Sequence, residues 1–181
     1  MLLLNGSPHP RGETMRLLEA FADALSASAA VTQVNAFALL PAPCDDCGYC
    51  RTRDGCAKRD LDEVYALLEQ ADVLVWATPV YNYGFPAPLK ALIDRCQRYW
   101  SARFVRQQRP PIARPKQAVL LTACGEASPV GGQMLEQQLR PQLTILNARL
   151  VACVHRTGCD SGADAQPALE QARAAARALW S

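Results

Sequence analysis

The sequence lacks the segments and motifs that would place it in several large functional classes. No apolar run approaches the length of a membrane span, so no membrane association is expected. Neither sign of charge predominates: the formal net charge is +2, too weak a field to suggest nucleic acid as a partner. Met1 to Gly6 carry neither the basic flank nor the long apolar segment of a secretory signal, and the expected location is cytoplasmic. There is no GxxxxGK followed by Ser or Thr, which removes a Walker nucleoside triphosphate site, and Gly6 and Gly12 do not make the GxGxxG of a dinucleotide fold. Repeats and linkers are missing as well. With 181 residues and 50% hydrophobic content, residues 1–181 are expected to form a single domain with a substantial core.

Cysteine, by contrast, is plentiful. Eight cysteines in a chain expected to meet a reducing compartment read as thiols or metal and cluster ligands rather than disulfides. Four of them, Cys44, Cys47, Cys50 and Cys56, follow the Pro41-Ala42-Pro43 break with the spacing C-x2-C-x2-C-x5-C. A [4Fe-4S] cluster needs one thiolate per iron, and short spacers let a single loop wrap it. Zinc suits two separated CxxC knuckles better than one bunched set. Cys47 and Arg53 also stand in a C-x5-R relation, but no strand precedes Cys47 and Asp54 follows Arg53, so a phosphatase loop is excluded. Cys96, Cys153 and Cys159 read as small apolar or incidental residues on a helix, a strand and a loop.

The chain is organised around Leu2 to Leu18. Leu2-Leu3-Leu4 reads as a buried strand that stops at Asn5-Gly6-Ser7-Pro8, and a helical pattern follows through Thr14, Met15, Leu18, Phe21, Ala22 and Leu25, fading near Ser26 to Ala30. Such a loop aims free backbone N–H groups at one point, where the helix dipole favours an anion. Ser7, Arg11 and Thr14 suit a phosphate monoester; a polar crossover loop that binds nothing is the competing reading.

Val31 to Phe37 reads as a second strand. Asp60 and Glu63 resemble a capping pair for a helix carrying Leu61, Val64, Tyr65 and Leu68. Val73 to Ala77 is a continuous apolar run of the kind a central parallel strand shows, and the aromatic loop Thr78-Pro79-Val80-Tyr81-Asn82-Tyr83-Gly84-Phe85-Pro86-Ala87 follows it. Tyr81, Tyr83 and Phe85 could stack on a flat ligand, gate it, or pack on a neighbouring subunit. A helix opened by Pro88 comes next. Tyr99 to Pro115 reads as an irregular arm, with Arg103, Arg106, Arg109 and Arg114 as a solvated excursion, a subunit contact or a nucleotide phosphate site. Ala118 to Ala123 is a fourth strand, followed by the small-residue loop Cys124 to Gly132. A helix through Met134, Leu135 and Leu139 should kink or end at Pro141. Leu150 to Val154 is a fifth strand, and Pro167 to Leu179 a last helix.

Alternating strands and helices predict an α/β three-layer fold whose loops meet at the carboxyl edge of a parallel sheet. The combination NGSPHPRGET, TPVYNYGFPAPLKALIDR and the small-residue loop after the fourth strand resembles the NADPH-dependent FMN reductase family of the flavodoxin-like fold, from Met1 to about Val154. The resemblance implies a sheet order of 2-1-3-4-5. It also implies FMN, with its phosphate on Ser7, Arg11, Gly12, Glu13 and Thr14, its ring along Pro79, Val80, Tyr81, Asn82, Tyr83 and Gly84, and an edge at Cys124 and Gly125. NAD(P)H is the implied electron donor, a flavin, quinone or other small molecule the acceptor, and a homodimer or homotetramer the assembly. His9-Pro10 departs from the relatives and reads as solvated. The cysteine spacing is similar to that of iron-sulfur flavoproteins, which would imply a [4Fe-4S] cluster on Cys44, Cys47, Cys50 and Cys56 and ferredoxin as a partner. The same segment also looks like one in flavin reductases whose thiols are reduced or structural. A flavodoxin-like carrier without turnover fits the charge poorly, since such carriers are acidic.

Overall fold

A computed structural model describes residues 1–27 and 29–180; Ser28 and Ser181, at the fading end of the first helix and the end of the domain expected above, lie outside them. The leucine run forms strand β1 (Leu2–Asn5), buried along its whole length. On one side it pairs in parallel with β2 (Thr32–Asn35) and on the other with β3 (Val73–Pro79), so Leu4 faces Val34 and Trp76. Strands β4 (Lys116–Ala123) and β5 (Ala148–Arg156) extend the sheet beyond β3, all parallel, in the order β2-β1-β3-β4-β5. This is the expected flavodoxin-like order.

The pleat sorts the apolar runs between two cores, because successive side chains in a strand point to opposite faces. Leu2, Leu4, Leu74, Trp76, Ala118 and Leu120 face one way. They are covered by α4 (Asp62–Gln70), α5 (Ala87–Arg95) and α7 (Val130–Ile145) through Leu68, Leu89, Leu92, Leu135 and Leu139. Leu3, Val73, Val75, Ala77, Val119 and Leu121 face the other way, against Leu17, Leu18 and Phe21 of α1 (Glu13–Asp23) and Leu169, Ala172 and Ala176 of α8 (Gln166–Arg177). Short helices α2 (Ala36–Leu39) and α3 (Tyr49–Thr52) lie in the second crossover, and a 3-10 turn, Ala178–Trp180, ends the described chain. No helix among the described residues is long and apolar enough to cross a membrane.

Several expectations are corrected. The second strand stops at Asn35 because the Asn35 carboxamide accepts from the Phe37 and Ala38 N–H groups, at 2.8 and 3.3 Å, and caps α2. Asp60 is no helix cap: α4 has no side-chain cap, and Asp60 instead pairs with Arg95 at 2.9 Å. The start of the irregular arm is helical, as α6 (Gln97–Phe104), because Tyr99 and Ala102 are buried on one face while the Arg98 guanidinium lies 4.5 Å over the Tyr65 ring and 5.0 Å over the Tyr99 ring. Its arginines are only partly solvated: Arg109 and Arg114 are exposed, but Arg106 holds the Cys50 and Arg53 carbonyls, and Arg114 reaches Gln70 O at 3.0 Å and Asp72 at 2.7 Å. Helix α7 continues through Pro141. Pro141 and Gln137, whose carbonyl loses its proline partner, both lie on the exposed side of the helix, while buried Leu139 and Leu143 hold it on either side.

Candidate functional site

The loop after β1 is held by its own polar groups. Gly6 N–H donates to Ala77 O of β3 (2.8 Å), Ser7 N–H to the Asn5 side chain (2.8 Å) and His9 N–H to Ser7 Oγ (3.2 Å). Gly12 N–H donates to His9 O at 3.2 Å, which folds the loop onto the start of α1. No side chain caps α1. The first N–H groups of a helix have no partner within it, so those of Glu13 to Met15 remain as anion donors, with the helix dipole behind them. Ser7 and Thr14 are 3% and 2% exposed. The Glu13 carboxylate is tied to Arg16 at 2.6 Å and to the buried Arg156 at 3.3 Å, which offsets its charge beside an anion.

Across the crevice, β3 ends in a tight hairpin in which Tyr81 and Gly84 exchange backbone hydrogen bonds of 3.1 and 2.8 Å. Asn82 and Tyr83 at its tip are left-handed, with φ of 49° and 57°. Asparagine tolerates this conformation; a tyrosine needs outside support. The Tyr83 hydroxyl donates to Glu126 (2.9 Å) and Gln138 donates to Tyr83 O (3.2 Å), and these contacts pin it. The Glu126 hydrogen bond also pushes the Tyr83 phenol above its usual range. Phe85 does not gate: it is 8% exposed, within the core beneath the loop.

Between these loops lies a cavity of about 390 Å³, within the usual range for small-molecule sites. Of the expected residues, Ser7, Gly12, Glu13, Thr14, Pro79, Val80, Tyr81, Cys124 and Gly125 line it. Arg11 is exposed outside the wall, and Asn82, Tyr83 and Gly84 form the hairpin beyond it. The structure adds His9, Ala123, Cys159 and Asp160. The last two come from the loop after β5, where Cys159 N–H donates to Cys124 O (3.0 Å) and the Asp160 carboxylate occupies the space a Cβ on Gly125 would need. The signal for them was positional, since that loop leaves the same edge of the sheet as the others. Burial raises the pKa of the Cys159 thiol.

The four clustered cysteines lie elsewhere, in the loop before α4. Cys44, Cys47, Cys50 and Cys56 line one small cavity, of about 20 Å³, together with Lys58, Arg95 and Arg98. Among the described residues no group of three His, Cys, Asp or Glu side chains is disposed to hold a single metal ion. All eight cysteines are free thiols; burial pushes Cys96 up to about 12, and burial with the nearby Glu136 carboxylate does the same to Cys153.

Comparison with known proteins agrees with this layout. The chain is 34% identical over 122 residues to an iron-sulfur flavoprotein of Archaeoglobus fulgidus, covering 67% of this chain and 58% of that one. It is 34% identical over 100 residues to an FMN-dependent NADH:quinone oxidoreductase of Azotobacter vinelandii, covering 53% and 49%. The alignments thus span about half the length of the curated relatives. Among solved structures, an NAD(P)H:quinone oxidoreductase from Methanothermobacter marburgensis superposes with a TM-score of 0.77 at 21% identity, over 99% of this chain and 96% of that one. The order of the sheet, the loops at its carboxyl edge and a match of residues 1–157 to the model for NADPH-dependent FMN reductase place this chain in that family.

Proposed function

We propose that the chain is an FMN-dependent oxidoreductase that takes hydride from NAD(P)H and passes electrons to a quinone, a flavin or another small acceptor. The observation that carries this reading is the cavity at the carboxyl edge, where the uncapped start of α1 and the loops after β3 and β4 share one wall. FMN, when bound, supplies both hydride and single-electron transfer, so the protein needs no nucleophile of its own. Ser7 Oγ accepts from His9 N–H, which leaves its hydroxyl hydrogen to donate. With Thr14 and the free N–H groups of α1, it makes a cradle for a phosphate dianion. Pro79, Val80 and Tyr81 present a narrow, largely apolar wall suited to a flat ring, and Cys124 and Gly125 close its edge. Arg11, in the loop beside the cradle, and Asn82, Tyr83 and Gly84, in the pinned hairpin, form the rim of this site.

The two cores on either face of one sheet support a single domain over residues 1–181. Exposed Tyr81, Tyr83, Val130 and Met134 offer an apolar surface for a second copy, in keeping with a homo-oligomer, and eight free thiols favour a reducing, cytoplasmic setting. The test is the paired substitution Ser7→Ala and Thr14→Val. FMN affinity should fall at least tenfold, about 1.4 kcal/mol, while riboflavin, which has no phosphate, should bind as before; unchanged FMN affinity would remove the phosphate assignment.

A second reading has its own observation: all four clustered cysteines line one cavity. The donor set fits a [4Fe-4S] cluster, with one thiolate for each iron. At about 20 Å³ the cavity must widen to hold it, which a loop held by side chains allows. In that reading Cys44, Cys47, Cys50 and Cys56 are the ligands and ferredoxin exchanges electrons with the protein. Protein purified without oxygen should then carry iron and acid-labile sulfide near four per chain; flavin absorption with neither would leave the first reading alone.

A further inference from the structure

Arg95 is the most buried guanidinium in the described chain that faces the cysteine loop, and its bonding is lopsided. Its side chain is 1% exposed. One terminal nitrogen donates to Ala42 O (3.0 Å) and Asp60 (3.3 Å); the other donates to Lys58 O (2.8 Å) and forms an ion pair with Asp60 at 2.9 Å. Ala42 precedes Cys44 and Lys58 follows Cys56, so one fork fastens both ends of the cysteine loop to the end of α5. The third nitrogen, Nε, is buried with no hydrogen-bond partner. A buried N–H of a charged group rarely goes without an acceptor. Arg95 lines the same cavity as the four thiols, beside Arg98 and Lys58.

We propose that the Arg95 Nε–H donates to a sulfur of the [4Fe-4S] cluster held by Cys44, Cys47, Cys50 and Cys56, and so sets the cluster's reduction potential as well as the closure of its loop. The inference rests on the cluster reading above. Four thiolates around such a cluster leave a net negative charge that grows on reduction. Hydrogen bonds to the sulfurs and nearby positive charge favour the more negative, reduced form and raise the potential. Arg95 supplies both from one side chain. It is a positioning residue: its terminal nitrogens place the loop, and the remaining N–H answers the charge inside it.

The experiment uses the full-length protein purified or reconstituted without oxygen, comparing wild type with Arg95→Lys and Arg95→Gln. Iron and sulfide are counted first and the cluster potential is then titrated by EPR at matched iron content. Pulsed EPR on reduced wild type labelled with 15N-arginine looks for a nitrogen coupled to the cluster, which needs no substitution and therefore no tolerance of one. The expected result is a lower potential in both variants, with Arg95→Gln shifting the ratio of oxidised to reduced cluster about tenfold, or 59 mV for one electron. The 15N coupling should be present in wild type and absent from Arg95→Lys. An unchanged potential at equal iron content, with no coupling in wild type, overturns the role of Arg95 and leaves the cluster standing. Wild type that holds no iron or sulfide after reconstitution overturns the cluster reading, and the inference with it.

Discussion

The cavity at the carboxyl edge and the cysteine loop are two sites built by opposite means. The cavity is a by-product of the sheet: parallel strands end at one edge, and backbone hydrogen bonds such as Gly6 N–H to Ala77 O and Val80 N–H to Ala123 O, both 2.8 Å, lock the loops to neighbouring strands. The cysteine loop has one short helix and no place in the sheet. It is held from outside by guanidinium groups, Arg95 of α5 at its ends and Arg106 at Cys50 and Arg53. The first site should yield only when the whole fold yields; the second should open by itself.

The strongest way to break this contrast is Phe21→Ala. Phe21 is fully buried where α1 meets the sheet, and its loss should cost about 3–5 kcal/mol in urea unfolding. The cavity and the core should be lost in one transition; a cavity that melted earlier would mean that its loops are not part of the sheet's cooperative unit. Arg106→Ala should cost less, about 1–2 kcal/mol for lost hydrogen bonds to a charged donor. Amide exchange should rise across residues 44–56 while the strands stay protected.

Two pH experiments sharpen the contrast. Lys116, 4% exposed in β4, donates to Glu69 O and Ala71 O at 2.8 and 2.7 Å, and burial together with the nearby Arg114 brings its pKa down to about 8. Between that value and the ordinary 10.5 the unfolded chain binds more protons, so stability should rise with pH over this window. Lys116→Met should flatten that slope, which a global unfolding series would reveal. In the loop, burial works against ionisation of Asp60, but hydrogen bonds from Arg95 and the Ala42 N–H outweigh it and hold the carboxyl below its usual 3.8. The contact therefore contributes above that value and is lost as acid protonates the carboxylate. Loop protection should fall below about pH 4 with the strands still protected, and Asp60→Asn should abolish the step.

The same contrast explains what could be read in the sequence. Leu2 to Leu4, Val73 to Ala77 and Ala118 to Ala123 announce buried strands by their composition, and the parallel fold then brings their trailing loops together. Nine of the thirteen residues expected at the cofactor site line the cavity for that reason. Asp60 looked like a cap because Glu63 follows it at the right interval; its true partner is 35 residues away, and no local pattern reveals that. Arg103, Arg106 and Arg114 misled in the same way, because each donates to a backbone carbonyl 41 to 56 positions distant. Local pattern encodes the sheet, whereas the clamps that hold the cysteine loop exist only once the chain has folded.

Trp76 gives the fold an optical consequence. It is fully buried in β3 and its indole N–H has no hydrogen-bond partner, an apolar setting that shifts tryptophan emission to short wavelength. Pro79, at the cavity wall, is three residues further on, about 10 Å at the rise of a strand. With the isoalloxazine at that wall, as proposed above, it would stand within efficient energy-transfer range of this indole, and the emission of Trp76 should fall as FMN is added.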